Sequence, residues 1–299
     1  MLRLIHRAVN SALVPLGWLT AHVHALPGLG LQARCARLGM RVLLRGRRRV
    51  GLNWISHLLF SPIVLTRYFE FDFAWRALSG LKIERYLDVS SPFMFPVLLA
   101  HERPTLDADL INPDAHDLPI TRAIVAGAGL EARCHLHADL IERVDLPANH
   151  YDAITCLSVL EHIPDDRAAL IRMWSLLRPG GTLVLTLPCA RDAHRLFTNL
   201  DHYGLLGDGG DGFTFLEYVY DSAQLEERLF VVTGKPAACE VYGERQAGTL
   251  RRELVRRWSG GAWRFWAEPL WMGRHFTHFD AIEALPGEGV VVMSFVKPG

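Results

Sequence analysis

A chain of 299 residues, 50% hydrophobic and 21% charged, can bury one large core and is too apolar to remain disordered. Its 32 Lys+Arg balance 32 Asp+Glu, so no global charge steers it toward a polyanion. The balance is uneven along the chain. Residues 1–50 hold nine Arg and no Asp, Glu or Lys, so the remainder carries an equal acidic excess, and the protein reads as a basic appendage on an acidic body.

The stretch from Ala8 to Ala33 has no charged side chain but is interrupted by Asn10, Pro15, Gly17, Pro27 and Gly28. A spanning helix needs about 20 predominantly apolar residues, so this segment is expected to be amphipathic or interfacial. The arginines from Arg34 to Arg49 follow it without interleaved aromatics, which disfavours a nucleic-acid partner. Two uses remain for the segment: a helical lid over a cleft, or a peripheral contact with an anionic membrane. The pattern stays helical to residue 83, broken at Pro62. Five cysteines with no CxxC pair point to a reducing, cytoplasmic setting and to no metal site.

From Arg85 onward, short β-rich runs alternate with helical stretches, as in a parallel sheet covered by helices. The runs are Tyr86 to Val89, Thr105 to Ile111, Arg133 to Asp139, Tyr151 to Leu157 and Thr182 to Leu187. Asp165 to Leu177 reads as a helix ended by Arg178-Pro179-Gly180-Gly181, and Ser222 to Leu229 as a later helix. Ala237 to Tyr242 and Val290 to Val296 read as the last strands. Residues 1–83 are thus a basic helical extension, and residues 84–299 a catalytic domain with an aromatic, helical insert around 250–280. The insert's Trp258, Trp263, Trp266 and Trp271 are expected to complete the core.

Ligands of an open α/β sheet bind beyond the carboxyl ends of its strands. Asp88, Asp109, Asp139 and Glu161-His162 fall at or near the ends of four successive runs. Asp109 follows Asp88 by 21 residues, close to the interval of about 20 for an acid that grips ribose hydroxyls; Asp107 is its rival. No GxGxxG follows any run, which disfavours a nicotinamide-dependent oxidoreductase.

The ordered runs Arg85-Tyr86-Leu87-Asp88-Val89, Tyr151-Asp152-Ala153-Ile154, Ser158-Val159-Leu160-Glu161-His162-Ile163 and Leu177-Arg178-Pro179-Gly180-Gly181-Thr182-Leu183, with Asp109 and Asp139, resemble class I S-adenosylmethionine-dependent methyltransferases, type 11-like. The resemblance implies a Rossmann-like, doubly wound, mostly parallel seven-stranded sheet with an antiparallel C-terminal strand. It implies S-adenosylmethionine as cofactor. Asp88, Ser90 and Ser91 would form the loop facing its amino-acid end, Asp109 would hold the ribose, and Asp139 with Leu140 would lie near the adenine. Leu157 and Ser158 would form the floor, and Glu161 and His162 would face the sulfonium and acceptor.

One motif departs from the family. In place of a glycine-rich DxGxGxG loop the chain has Asp88-Val89-Ser90-Ser91-Pro92, whose serines incur a penalty at positive φ. The implied activity is methyl transfer to a small-molecule, glycan or lipid-linked acceptor. The alternative is a catalytically silent binding or scaffold protein that keeps the fold. An imidazole ordinarily titrates near neutrality, so His162, just after the fourth run, is the candidate base for an acceptor hydroxyl, with His202 second.

Overall fold

The computed structural model describes residues 2–22, 25–46, 48–114, 116–198, 213–258 and 264–299. Five parallel strands form one side of the main sheet: β1 (Arg85–Val89), β2 (Asp107–Ile111), β3 (Cys134–His137), β4 (Tyr151–Leu157) and β5 (Leu177–Cys189). A small antiparallel pair, β6 (His194–Thr198) and β7 (Thr214–Val219), follows. The main sheet is completed by β8 (Ala238–Glu244), β9 (Phe276–Phe279) and β10 (Gly289–Val296), in the order β3-β2-β1-β4-β5-β10-β8-β9. The C-terminal strand β10 runs antiparallel to both β5 and β8, as expected. An eighth strand, β9, is added at the edge beyond the seven expected. It comes from the aromatic insert, where Phe276 is buried and Trp271 packs on the core.

Helices cover both faces. On the first lie α1 (Leu2–Ala21), α2 (Leu29–Gly46), α3 (Leu52–Phe60), α4 (Arg67–Ser79), α5 (Met94–Glu102) and α6 (Asp117–Ala128). On the second lie α7 (Asp166–Leu176) and a continuous turn set of α8 (Ser222–Gln224), a π-helical turn and α9 (Val231–Thr233). The insert contributes α10 (Thr249–Trp258) and α11 (Glu268–His275). Helix signals act where the chemistry places them: Asp165 caps α7 by accepting from the Ala168 N–H at 3.0 Å, and Asp221 caps α8 through Gln224 at 2.8 Å. Helix α3 stops before Pro62.

Strand side chains alternate between two cores. Tyr86, Ala153, Leu157, Val184, Val290 and Val292 join the first; Leu87, Ile154, Leu183, Leu185, Val291 and Phe295 join the second. The first core is continuous with Leu38, Val42, Leu58, Tyr68 and Phe71 of the N-terminal helices, so no change of core marks residue 83. Helix α2 crosses α6 at Gly46 and Gly127. A Cβ on Gly46 would lie 2.3 Å from the Gly127 Cα, so only glycine permits this approach.

The basic appendage meets its counter-charge on the domain. Arg34 and Arg37 pair with Glu102 of α5, Arg49 pairs with Glu131, and Arg41 Nε donates to the Ala128 carbonyl at 2.7 Å. The insert also grips the extension, since buried Glu268 accepts from the Leu65 N–H at 2.9 Å and binds Arg257 at 2.7 Å. No helix among the described residues is long and apolar enough to cross a membrane. His202, Trp263 and the Trp258 side chain lie outside the described residues.

Candidate active site

Parallel pairing brings the C-terminal ends of β1, β2, β4 and β5 to one edge of the sheet. Asp88 is 2% exposed and faces the first core. Its Oδ1 accepts from Thr155 Oγ1 at 2.6 Å, its Oδ2 from the Ser91 N–H at 3.0 Å, and burial pushes its carboxyl up to about 6. Asp88 therefore anchors the loop that follows β1. Ser91 completes the clamp, its Oγ accepting from the Leu157 N–H at 3.0 Å, which ties the β1 loop to the end of β4.

Ser90 adopts φ of +52°, the left-handed region where the family places glycine, and its N–H donates to the Ile111 carbonyl at 2.8 Å. A non-glycine residue there costs roughly 1–2 kcal/mol, so the loop holds its backbone shape against a local penalty. A shallow open recess lies beside it, lined by Asp88, Ser90, Ser91, Ile111, Asn112 and Leu118.

The expectation for Asp109 needs correction on position. Register pairs Asp109 with Leu87, so it lies in mid-strand, not at the tip of β2. It shares with Asp107 the second face of β2. There Asp109 bonds His137 Nε2 at 2.6 Å and the Tyr151 hydroxyl at 2.8 Å. Asp107 binds Arg85 and His135 in the same way. The residue at the tip is Asn112, which lines the recess and whose Oδ1 accepts from the Asp114 N–H at 2.8 Å. Asp139 and Leu140 follow the end of β3, with the Asp139 carboxylate accepting from the Leu140 N–H at 2.8 Å.

A denser cluster surrounds the end of β4. Ser158, at φ of +48°, turns the chain into a short helix holding Glu161 and His162. Helix α4 inserts Glu70, fully buried, over this turn. Glu70 Oε2 accepts from Arg67 at 2.5 Å, Ser158 Oγ at 2.7 Å and Thr186 Oγ1 at 2.8 Å. Burial alone would raise its pKa, but Arg67, Ser158, Thr186 and the Thr66 hydroxyl together hold the carboxyl below its ordinary value. Glu70 Oε1 nonetheless has no hydrogen-bond partner among the described residues, and neither does Glu161 Oε2.

Glu161 is 2% exposed, and burial, reinforced by Glu217 and Glu70, pushes its carboxyl well up. His162 Nδ1 lies 2.8 Å from the Leu216 carbonyl of β7. A carbonyl only accepts, so Nδ1 carries the proton. Nε2 lies 4.0 Å from Glu161 and 3.8 Å from Glu217 of β7. Burial lifts the Glu217 carboxyl to about 7.

The structure thus gathers Asp88, Ser90, Ser91, Leu157, Ser158, Glu161 and His162 at one edge, with Asp139 and Leu140 on its flank and Asp109 apart. Sequence reasoning missed Glu70, Arg67, Asn112, Thr186 and Glu217. Glu70 did leave a signal: it is the one acid within Tyr68-Phe69-Glu70-Phe71, a stretch apolar enough to be buried on all sides.

Comparison with known proteins bears on this geometry. Ubiquinone biosynthesis O-methyltransferases match parts of the chain: that of Xanthomonas campestris is 53% identical over 36 residues, covering 12% of this chain and 15% of the relative. That of Alkalilimnicola ehrlichii is 28% identical over 116 residues, covering 38% and 46%. The chain thus spans less than half the length of these curated relatives. Among solved structures, the 4+2 cyclase SpnF superposes with a TM-score of 0.51 at 18% identity, covering 76% of this chain and 79% of that one. The MccD protein does so at 0.51 and 11% identity, covering 77% and 96%. These two likenesses show the fold. A family model for the methyltransferase domain matches residues 108–281, more than half of the chain, and with this sheet order and this site the protein belongs to the methyltransferase-domain family, of the class I type whose cofactor is S-adenosylmethionine.

Proposed function

We propose that this protein transfers a methyl group from S-adenosylmethionine to a small-molecule acceptor bound between the end of β4 and the strand β7. The observation that carries the reading is Glu70 Oε1, a fully buried carboxylate oxygen with no hydrogen-bond partner among the described residues, placed over Ser158 at the edge where the family holds its cofactor. A buried carboxylate oxygen left unsatisfied is costly even when the carboxylate's other oxygen is ion-paired, and an N–H donor of a cationic ligand would complete it. S-adenosylmethionine is cationic at both its amine and its sulfur, so the residues present fit it.

When bound, the cofactor supplies a methyl group activated by a positively charged sulfur. Asp88 holds the β1 loop through Ser91, and Leu157 and Ser158 form the floor. Asn112, at the tip of β2, takes the ribose-facing position, with Asp139 and Leu140 toward the adenine. Methyl transfer asks chiefly for alignment in a water-poor site. Closure is supplied by α4, which supports reading residues 1–83 as a lid. His162, oriented by the bond of its Nδ1 to the Leu216 carbonyl, takes up the acceptor's proton as it reacts.

The pairing of Arg34, Arg37, Arg41 and Arg49 with the domain favours this lid over a membrane contact. Labelled-methyl transfer from S-adenosylmethionine into metabolite, lipid and glycan extracts tests the function. Protein-dependent label in a small-molecule fraction is expected. Absence of label in every fraction, together with no cofactor binding, would leave a silent scaffold.

A further inference from the structure

We propose that the corner where α2 ends and α3 begins is a contact surface for an anionic lipid layer. The inference stands apart from the methyl-transfer reading and concerns the outer side of the lid. Helix α2 has two faces. Its inner face, with Leu31, Cys35, Leu38 and Val42, is buried in the first core. On the outer face Met40 and Leu44 follow one another at four-residue spacing, 47% and 76% exposed, with Arg45 and Arg48 exposed beside and beyond them.

Packing brings α3 to the same corner. A Cβ on Gly39 would lie 2.9 Å from the Leu58 Cβ, so residue 58 of α3 lies against residue 39 of α2. Because α2 ends at Gly46 and α3 starts at Leu52, α3 folds back along α2 and its first residue stays at the end that carries Leu44 and Arg45. Leu52 is 74% exposed. Exposed leucines scattered singly need no explanation, but here three apolar side chains stand together among cations. Leu44 and Leu52, each about three-quarters exposed, protrude as a ridge and line no groove. A fluid acyl layer admits such a ridge, and flanking cations then meet the headgroups.

Charge selects an anionic layer. The first acidic residue of the chain is Glu70, so the corner's own elements carry no counter-charge. Arg34 and Arg37 are bound to Glu102, Arg49 to Glu131, and Arg41 to the Ala128 carbonyl; these four turn toward the domain and hold the lid. Arg45 and Arg48 have no acidic partner among the described residues and remain for lipid headgroups. The surface is therefore this corner and not the whole basic segment. With no described helix able to cross a membrane, the contact is peripheral.

Co-sedimentation of the full chain with vesicles tests this, using phosphatidylcholine alone and an equal mixture of phosphatidylcholine with phosphatidylglycerol. Binding to the anionic vesicles, weakened by added salt, and little binding to the neutral ones are expected. Arg45→Ser with Arg48→Ser should weaken the anionic binding roughly tenfold or more. Leu44→Ser with Leu52→Ser should weaken it as well, even at low salt, because apolar insertion is lost. All four side chains are exposed, so thermal midpoints should stay at the wild-type value. The control pair Arg251→Ser with Arg264→Ser, exposed on the insert, should bind as wild type does. Equal binding to both vesicle types, binding untouched by either corner pair, or an equal loss in the control pair would overturn the proposal. So would a wild-type dimer in solution that Leu44→Ser with Leu52→Ser converts to a monomer, since a second copy would then cover the ridge.

Discussion

Replacing Glu70 by Gln keeps the shape of the side chain and removes its charge. Three donors converge on Oε2, from Arg67, Ser158 and Thr186, and each loses about half the strength of its charge-assisted bond, roughly 1 kcal/mol apiece. The new amide N–H group occupies the position of Oε1, which has no partner, at a further cost of about 1–3 kcal/mol. Relief of carboxylate desolvation offsets part of this, and the Arg67 side chain is 25% exposed and recovers some hydration. The net expectation is a loss of about 2–4 kcal/mol at pH 7, read by urea unfolding.

The pH dependence gives the sharper check on Glu70. Its folded pKa is depressed, so its stabilising effect is complete above the ordinary carboxylate value of about 4.3 and disappears as pH falls through the folded value. The gap between wild type and Glu70→Gln should be constant from pH 8 to about 5 and shrink only below that. A gap under 0.5 kcal/mol at pH 7, or one that already closes between pH 8 and 6, would refute the assignment of Glu70 as a paired, ionised carboxylate.

Other substitutions probe separate links. Asn112→Ala should weaken S-adenosylhomocysteine binding by calorimetry about tenfold, and Asp109→Ala should change it little, because only Asn112 lies at the strand tip; the reverse order would restore Asp109 to the ribose. Gly46→Val should destabilise the whole protein by about 1–3 kcal/mol in urea, through the contact with Gly127, without a separate transition for the N-terminal helices. Asp88 titrates near 6 in the fold against about 3.9 unfolded, so it binds a proton more readily when folded and stability falls as pH rises across that window. Asp88→Asn should flatten the fall between pH 4 and 6, while the part owed to Glu217 near pH 7 persists.

Strand existence was legible because β-branched runs alternate with helical stretches, and the expected β4 runs over the same residues as the observed one. Strand ends were less legible. The Pro179-Gly180-Gly181 segment reads as a turn, yet it continues β5 because the Gly180 N–H, at φ of +74°, donates to the Lys297 carbonyl across the sheet. Asp109 was misplaced for a related reason: spacing counts residues from Asp88, but register decides which of them reaches the tip, and register is set by pairing partners far along the chain. Glu70 could not be assigned from sequence because its partners Ser158 and Thr186 lie 88 and 116 residues away. The Ser90 turn was readable in principle, since the family position demanded positive φ whatever residue stood there, and the backbone adopts it.

The most direct measurement is a calorimetric titration of S-adenosylmethionine into the full chain and into Glu70→Gln. Saturable one-to-one binding is expected for the first, with about tenfold weaker binding for the second, because the buried carboxylate loses the charge that a cationic ligand completes. Absence of saturable heat with the folded wild-type chain would contradict the methyltransferase reading, and equal affinity in both proteins would remove Glu70 from the site.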